Sequence, residues 1–190
     1  MASPYVSNAG SFLISVVFDL FIYAVMLRLL LQLVRADFYN PISQAIVRLT
    51  NPLLRPLRRH VPGYKGIDLP SVLLLLVLEG VKITLIAWVN GASPGLGTIL
   101  ALAPVELLQT AIHVFVAALL IQFVLSWVAP GAYNPVSQIT YSLTAPLLRP
   151  LRRLIPPLGG LDFTLLVALV ALQLAVFLIV HPLRDLALGL

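Results

Sequence analysis

Apolar residues do not alternate with polar ones along this chain. They run in four long blocks, about 11–34, 69–89, 105–129 and 163–180, separated by polar or proline-rich stretches. Each block approaches or exceeds the roughly 20 residues that a helix needs to cross a hydrocarbon core of about 30 Å. Backbone amides in lipid must find partners within the chain, so such blocks are helices despite their wealth of leucine and valine. The pattern predicts an all-α membrane protein with four transmembrane helices.

The stretches between the blocks repeat. Tyr39-Asn40-Pro41-Ile42-Ser43-Gln44 returns as Tyr133-Asn134-Pro135-Val136-Ser137-Gln138, and Pro52-Leu53-Leu54-Arg55-Pro56-Leu57-Arg58-Arg59 returns as Pro146 through Arg153. One offset of 94 residues relates them without a gap and continues to Pro62/Pro156, Gly66/Gly160 and Asp68/Asp162. From Tyr39 to Asp68, 18 of 30 positions are identical to their mates, which marks a duplication. Residues 1–90 form the first repeat, with basic loop 35–68. Residues 105–190 form the second, with basic loop 130–162, and the Gly/Ser/Pro-bearing segment 91–104 links them on the extracytoplasmic side. Two spans per copy make the repeats parallel, related by an axis along the membrane normal.

Within each loop the periodicity turns amphipathic. Asn40 before Pro41 is a helix-start signal, since asparagine caps free amides and proline suits the first helical position. Ile42, Ala45, Ile46, Leu49 and Leu53 then recur at helical spacing opposite Ser43, Gln44 and Arg48. Pro52 and Pro56 are expected to stop the helix. Each loop thus reads as a short amphipathic helix in the cytoplasmic interface, closed by a proline-locked basic turn; a shallow re-entrant hairpin is the alternative.

Charge sharpens the picture. The chain is 60% hydrophobic and 10% charged, with a mean hydropathy of +1.02, far from the roughly 25% charged residues of soluble domains. Eight of its twelve basic residues are Arg48, Arg55, Arg58, Arg59 and Lys65 in the first loop and Arg149, Arg152 and Arg153 in the third. Short Lys/Arg-rich loops stay cytoplasmic, which puts both termini and the middle loop outside. A basic strip beside a bilayer meets anionic headgroups at about 1 kcal/mol per charge. Lipid rather than nucleic acid is therefore the expected partner of a net charge of +5. The first apolar block is too long for a signal peptide and lacks a basic n-region, so it is expected to stay in the mature protein. With no cysteine, disulfides, thiol catalysis and cysteine metal sites are excluded.

The order of an apolar span, Asn-Pro, Thr-x-Pro-Leu-Leu-Arg-Pro-Leu-Arg-Arg, a proline and Gly-x-Asp before another span resembles the YggT family. It reads here from Thr50 to Arg59 with Pro62, Gly66 and Asp68, and from Thr144 to Arg153 with Pro156, Gly160 and Asp162. The arginine common before the loop in that family matches Arg28 in the first copy, where Gln32-Leu33 replaces Ser-Trp. The second copy has Gln122 there but keeps Ser126-Trp127. The resemblance implies a bacterial inner-membrane protein with no established biochemical activity. Relatives are linked to osmotic-stress tolerance, to division-gene neighbourhoods and, in plastids, to cofactor assembly and nucleoid organisation.

Inside the spans stand Asp19, Arg28, Glu79 and Lys82, with His113, Gln122 and Gln173 as polar mates in the second copy. Each mid-bilayer charge costs about 2.5–3.5 kcal/mol on insertion scales, so each needs a partner. Two ion pairs are expected, and Arg28–Glu79 is favoured because both mates, Gln122 and Gln173, are polar. Asp19 and Arg28, nine residues apart, lie on opposite faces of a straight helix, so only one can face Glu79 and Lys82. Mutual neutralisation that fixes packing is the ordinary reading of such groups; an ion or proton path is the sharper one. Ala168, Ala171 and Ala175 form a small-residue stripe suited to helix contact within the chain or in a homo-oligomer. Trp88 and Trp127 read as interfacial anchors.

An enzyme is not expected, nor a cofactor. His60, His113 and His181 lack metal-ligand spacing, and no nucleophile elbow, phosphate loop or dinucleotide fingerprint occurs. Asp68 and Asp162 suit the positive end of the helix that follows each. The residues expected to face lipid or a partner are Asn40, Pro41, Arg55, Arg58, Arg59, Asn134, Pro135, Arg149, Arg152 and Arg153. The sequence thus points to a structural or assembly-type inner-membrane protein whose basic loops dock anionic headgroups or a cytoplasmic or membrane protein partner. The alternative is a small transport or ion-pathway protein in osmotic adaptation.

Overall fold

A computed structural model describes residues 4–63, 66–128, 131, 134–154 and 163–189. The expectations for Lys65, Tyr133, Pro156, Gly160 and Asp162 lie outside the described residues. The helices are α1 (Pro4–Leu33), α2 (Pro41–His60), α3 (Leu69–Val89), α4 (Leu96–Val128), α5 (Pro135–Leu154), α6 (Thr164–Ala175) and α7 (His181–Leu188), with a π turn, Val176–Val180, joining the last two. Four are long and apolar enough to span a membrane: α1, α3, α4 and the continuous rod Thr164–Leu188. Their all-round apolar character suits helices that lie between protein and lipid rather than between protein and water.

Several boundaries differ from the sequence reading, beginning with α1, which starts at Pro4 rather than near residue 11. Helix α2 does not stop at Pro52 and Pro56 but runs through both to His60, and α5 likewise runs through Pro146 and Pro150 to Leu154. Pro52 cannot donate to the Arg48 carbonyl, nor Pro56 to that of Pro52. Because the prolines are four residues apart, both defects fall on one side of the helix. Pro52 and Pro56 are exposed, so the freed carbonyls lie where water and headgroups can solvate them. Helix α4 begins at Leu96, inside the segment expected to be a linker. The apolar run Ile99–Ala103 continues the span, and an apolar run in lipid must be hydrogen-bonded. The last span extends past Val180 to Leu188. Pro182 cannot donate to the Leu178 carbonyl, and in the turn before it the backbone widens, with the His181 amide bonding the Val176 carbonyl.

Helices α1 and α3 pack as one hairpin, with Ile22, Val25, Met26, Leu29, Leu74 and Leu75 at its heart. Helix α4 is central, touching α1, α3, α5, α6 and α7. Val105 and Ile112 meet Val176 and Val180, while Leu119 and Leu148 close over Ala168. Of the small-residue stripe, Ala168 is fully buried within the chain and Ala171 is exposed. The repeats meet where α3 and α1 pack on α4 and through the first turns of α2 and α5, so both amphipathic helices sit at one end of the bundle.

Helix α1 ends in a Schellman turn, in which Ala36 N–H bonds the Leu31 carbonyl and Arg35 N–H that of Gln32. Arg35 takes the left-handed conformation there, φ 54°, where glycine is usual. The chain then reverses over 34–40 into α2.

Candidate functional site

At 100° per residue, α2 has three faces. One is buried on the spans and carries Ser43, Thr50 and Leu54. A second carries Ile42, Ile46 and Leu49 and roofs an apolar groove of about 470 Å³ between α1, α2, α4 and α5. The third holds Arg48, Arg55 and Arg59, all exposed, around Asn51, Pro52 and Pro56. Helix α5 repeats the plan: its buried face includes Ser137, Thr144 and Leu148, the mates of Ser43, Thr50 and Leu54. Val136, Ile139 and Leu143 line the same groove, and Arg149 and Arg153 are exposed. Among the groove's polar groups, Thr140 bonds the Val136 and Ser137 carbonyls and Tyr23 meets His113, so its wall is hydrocarbon-like.

The starts of both helices are fixed as their Asn-Pro pairs predict. Asn40 Oδ1 accepts from Ile42 N–H at 2.9 Å, with Pro41 as the first helical residue. Asn134 Oδ1 accepts from Ser137 N–H at 2.8 Å, while the Ser137 hydroxyl accepts from Asn134 N–H at 3.0 Å. Asn40 also crosses between the repeats: its Nδ2 donates to the Pro135 carbonyl at 2.8 Å and to Gln138 Oε1 at 3.0 Å. Asn40 therefore differs from the other expected docking residues, being buried, while its neighbour Pro41 is exposed.

Arg58 also departs from that expectation. It turns back to Asp68, which further accepts from the Ser71 hydroxyl at 2.6 Å. Burial pushes the Asp68 carboxyl up, but hydrogen bonds from Arg58 and Ser71 and the nearby positive charges outweigh it, holding it below the usual carboxylate range. Asp68 thus ties the end of α2 to the start of α3. Its side chain makes no capping bond to the α3 backbone.

The intramembrane charges pair differently from the favoured arrangement. Lys82 Nζ binds Asp19 Oδ1 at 2.9 Å and Glu79 Oε1 at 2.7 Å. Glu79 is fully buried. Lys82 lies one turn from it on the same helix, and Asp19 approaches from α1. Of the two opposite faces of α1, it is Asp19's that meets this cluster, so Arg28–Glu79 does not form. Arg28, 5% exposed, points to α2 instead, donating through Nη1 to the Thr50 hydroxyl at 2.6 Å and Asn51 Oδ1 at 2.9 Å. In the second repeat the Thr144 hydroxyl bonds Gln122 Oε1 at 2.7 Å. Thr50 donates on to the Ile46 carbonyl at 2.8 Å, whereas the single Thr144 hydroxyl proton has two acceptors in reach, Gln122 Oε1 and, at 2.8 Å, the Thr140 carbonyl. Gln173, the mate of Glu79, is exposed.

Other contacts were not anticipated. Tyr23 hydroxyl and His113 Nδ1 lie 3.1 Å apart, joining α1 to α4. Arg184 binds Glu106 at 2.8 Å and Gln109, joining α7 to α4. The threonines carried a usable signal, since Arg28–Thr50 and Gln122–Thr144 share a spacing of 22 residues and recur at the repeat offset. Among the described residues no group of His, Asp and Glu is arranged to hold a metal ion.

Two parallel two-helix repeats, each with a basic amphipathic helix pinned to its spans at the same end, define a duplicated four-span membrane protein. Comparison with known proteins agrees. The chain belongs to the CCB3/YggT family, whose family model matches it twice, over residues 7–89 and 101–183. It is 43% identical over 180 residues to the uncharacterized protein PA0392 of Pseudomonas aeruginosa, covering 93% of this chain and 91% of that one. An uncharacterized protein encoded in the proC 3′ region of Vibrio alginolyticus is 45% identical over 174 residues, 90% and 93% of the two chains. The uncharacterized protein YggT of Escherichia coli K12 is 36% identical over 158 residues, 83% and 81%. No solved structure matches the chain.

Proposed function

We propose that this is a structural, assembly-type protein of the bacterial inner membrane, whose paired interfacial helices α2 and α5 engage anionic lipid headgroups on the cytoplasmic side. The observation that carries the reading is the three-faced design shared by both helices: one face locked to the spans, one apolar, one carrying exposed arginines. Such a helix lies in the interface plane, with its apolar face in the acyl boundary and its cations among phosphates. The positive-inside rule places that end of the bundle in the cytoplasm and both termini outside.

The test is amide exchange of α2 and α5 in nanodiscs of phosphatidylglycerol or phosphatidylcholine. Exposed amides of both helices should be better protected in the anionic lipid. The variant Arg48→Gln/Arg55→Gln/Arg59→Gln/Arg149→Gln/Arg153→Gln should lose the difference. Equal protection of the unaltered protein in the two lipids would count against headgroup engagement and turn attention to a protein partner.

A further inference from the structure

Arg28 is a buried cation, and among the described residues no carboxylate pairs with it. Asp19 and Glu79 are held by Lys82, and Asp68 by Arg58. The groups that Arg28 does reach, Thr50, Asn51 and, at 3.5 Å, the Val47 carbonyl, are neutral, and all three are reached through Nη1. A guanidinium has five donors, yet Nε and Nη2 bond to no described residue. Neither is sealed from the surface, since neither is among the buried atoms left without a partner. Arg28 lines a cavity of about 490 Å³ with Gln32, Arg58, Gly66 and Asp68, under α2 at the end of the bundle that carries the basic helices. Summing the charged side chains of that lining, Arg28 and Arg58 against Asp68, leaves one positive charge.

Buried charges are ordinarily paired; Asp68, the carboxylate that shares the cavity, is paired with Arg58, so among the described residues Arg28 has no carboxylate of its own and there is room for an anion. We propose that the cavity binds a phosphate group, with the Nε–Nη2 edge of Arg28 as its bidentate clamp. A phospholipid headgroup and inorganic phosphate share that chemistry. The position of the cavity at the membrane interface favours the lipid. The second repeat supplies an internal contrast: its corresponding cavity, about 350 Å³, is lined by Gln122, Thr144, Arg149 and Arg152. There the neutral Gln122 meets Thr144 and leaves no buried charge to balance. Among the described residues such a site stands in the first half. The inference shares with the proposed function only the placement of α2 in the interface.

The experiment is thermal unfolding of delipidated, detergent-solubilised full-length protein, titrated with dihexanoyl phosphatidylglycerol, dihexanoyl phosphatidylcholine or inorganic phosphate. Binding of phosphatidylglycerol should raise Tm saturably, with one adduct per chain by native mass spectrometry. Arg28→Gln installs the side chain that the second repeat already uses at this joint. It should weaken the response about tenfold or more, the loss expected for one charge-assisted bidentate contact. Arg28→Lys keeps the charge but not the fork, and should fall between. A saturable response to inorganic phosphate equal to that of the lipid would support the site and assign it to the free anion. An unchanged response in Arg28→Gln, or none in the unaltered protein, would overturn the proposal. In the Arg48→Gln/Arg55→Gln/Arg59→Gln background, which removes the outer-face cations of α2, adding Arg28→Gln should still weaken the remaining response about tenfold; no further loss there would move binding to that face and sink the cavity site.

Discussion

The Arg28 guanidinium donates to the Thr50 hydroxyl at 2.6 Å, and ninety-four residues later Thr144 meets Gln122 at 2.7 Å. The joint between span and interfacial helix is thus kept in both halves while its charge is not. In the first repeat the Thr50 hydroxyl bonds the Ile46 carbonyl one turn back and still receives Arg28 from the span; in the second the Thr144 hydroxyl itself donates to Gln122 Oε1. The duplicated loop motif therefore encodes an attachment as well as a basic surface.

Lys82 is the hinge of the intramembrane cluster, because it binds both Asp19 and the fully buried Glu79. Lys82→Met should destabilise the protein by about 3 kcal/mol, since it strands a buried carboxylate. Lys82→Met/Glu79→Gln should recover most of the loss in denaturant unfolding. Arg28→Gln and Glu79→Gln should instead add independently, as expected of groups that do not touch. Strong coupling between those two would contradict the pairing described.

Asp68 makes part of the stability depend on acid. Its carboxyl is held below its usual value in the folded protein, so the folded state favours the charged form. The stabilisation is therefore fully present above the unfolded value of about 3.9. It is lost as pH falls from there through the folded value. Asp68→Asn should flatten the fall in stability over that acidic range while lowering stability at neutral pH. Parallel pH profiles for the two proteins would refute this role.

Asn40 caps α2 and also bonds across to α5, whereas Asn134 bonds within its own helix start. Asn40→Ala should cost more than the roughly 1 kcal/mol of a lost cap, and exchange should accelerate at the first turns of both α2 and α5. Asn134→Ala should speed exchange in α5 alone. The same pattern from both variants would mean that Asn40 is not the link between repeats.

Pro52 leaves the Arg48 carbonyl without its helical donor, and the helix nonetheless continues to His60. Pro52→Ala restores that donor and removes the ring from an exposed helix interior. Stability should rise by up to about 3 kcal/mol, with slower exchange around residues 48–56. Faster exchange there would show that the proline holds the helix together.

The hydrophobic blocks, the offset of 94 and the Asn-Pro starts determined the four spans, the duplication and the placement of α2 and α5, because each rests on local chemistry: apolar length, self-similarity and capping. Sequence could not say that α2 passes through Pro52 and Pro56, since proline's cost depends on whether its freed carbonyl is solvated. Nor could it choose Lys82–Glu79 and Lys82–Asp19 over Arg28–Glu79. Depth in the membrane follows from residue number, but partner choice follows from the rotation of α1 about its axis. That rotation is set by how Ile22, Val25, Met26 and Leu29 pack against α3 and its neighbours. Packing turned Asp19 toward α3 and Arg28 toward α2, and so left a buried cation beside an open cavity.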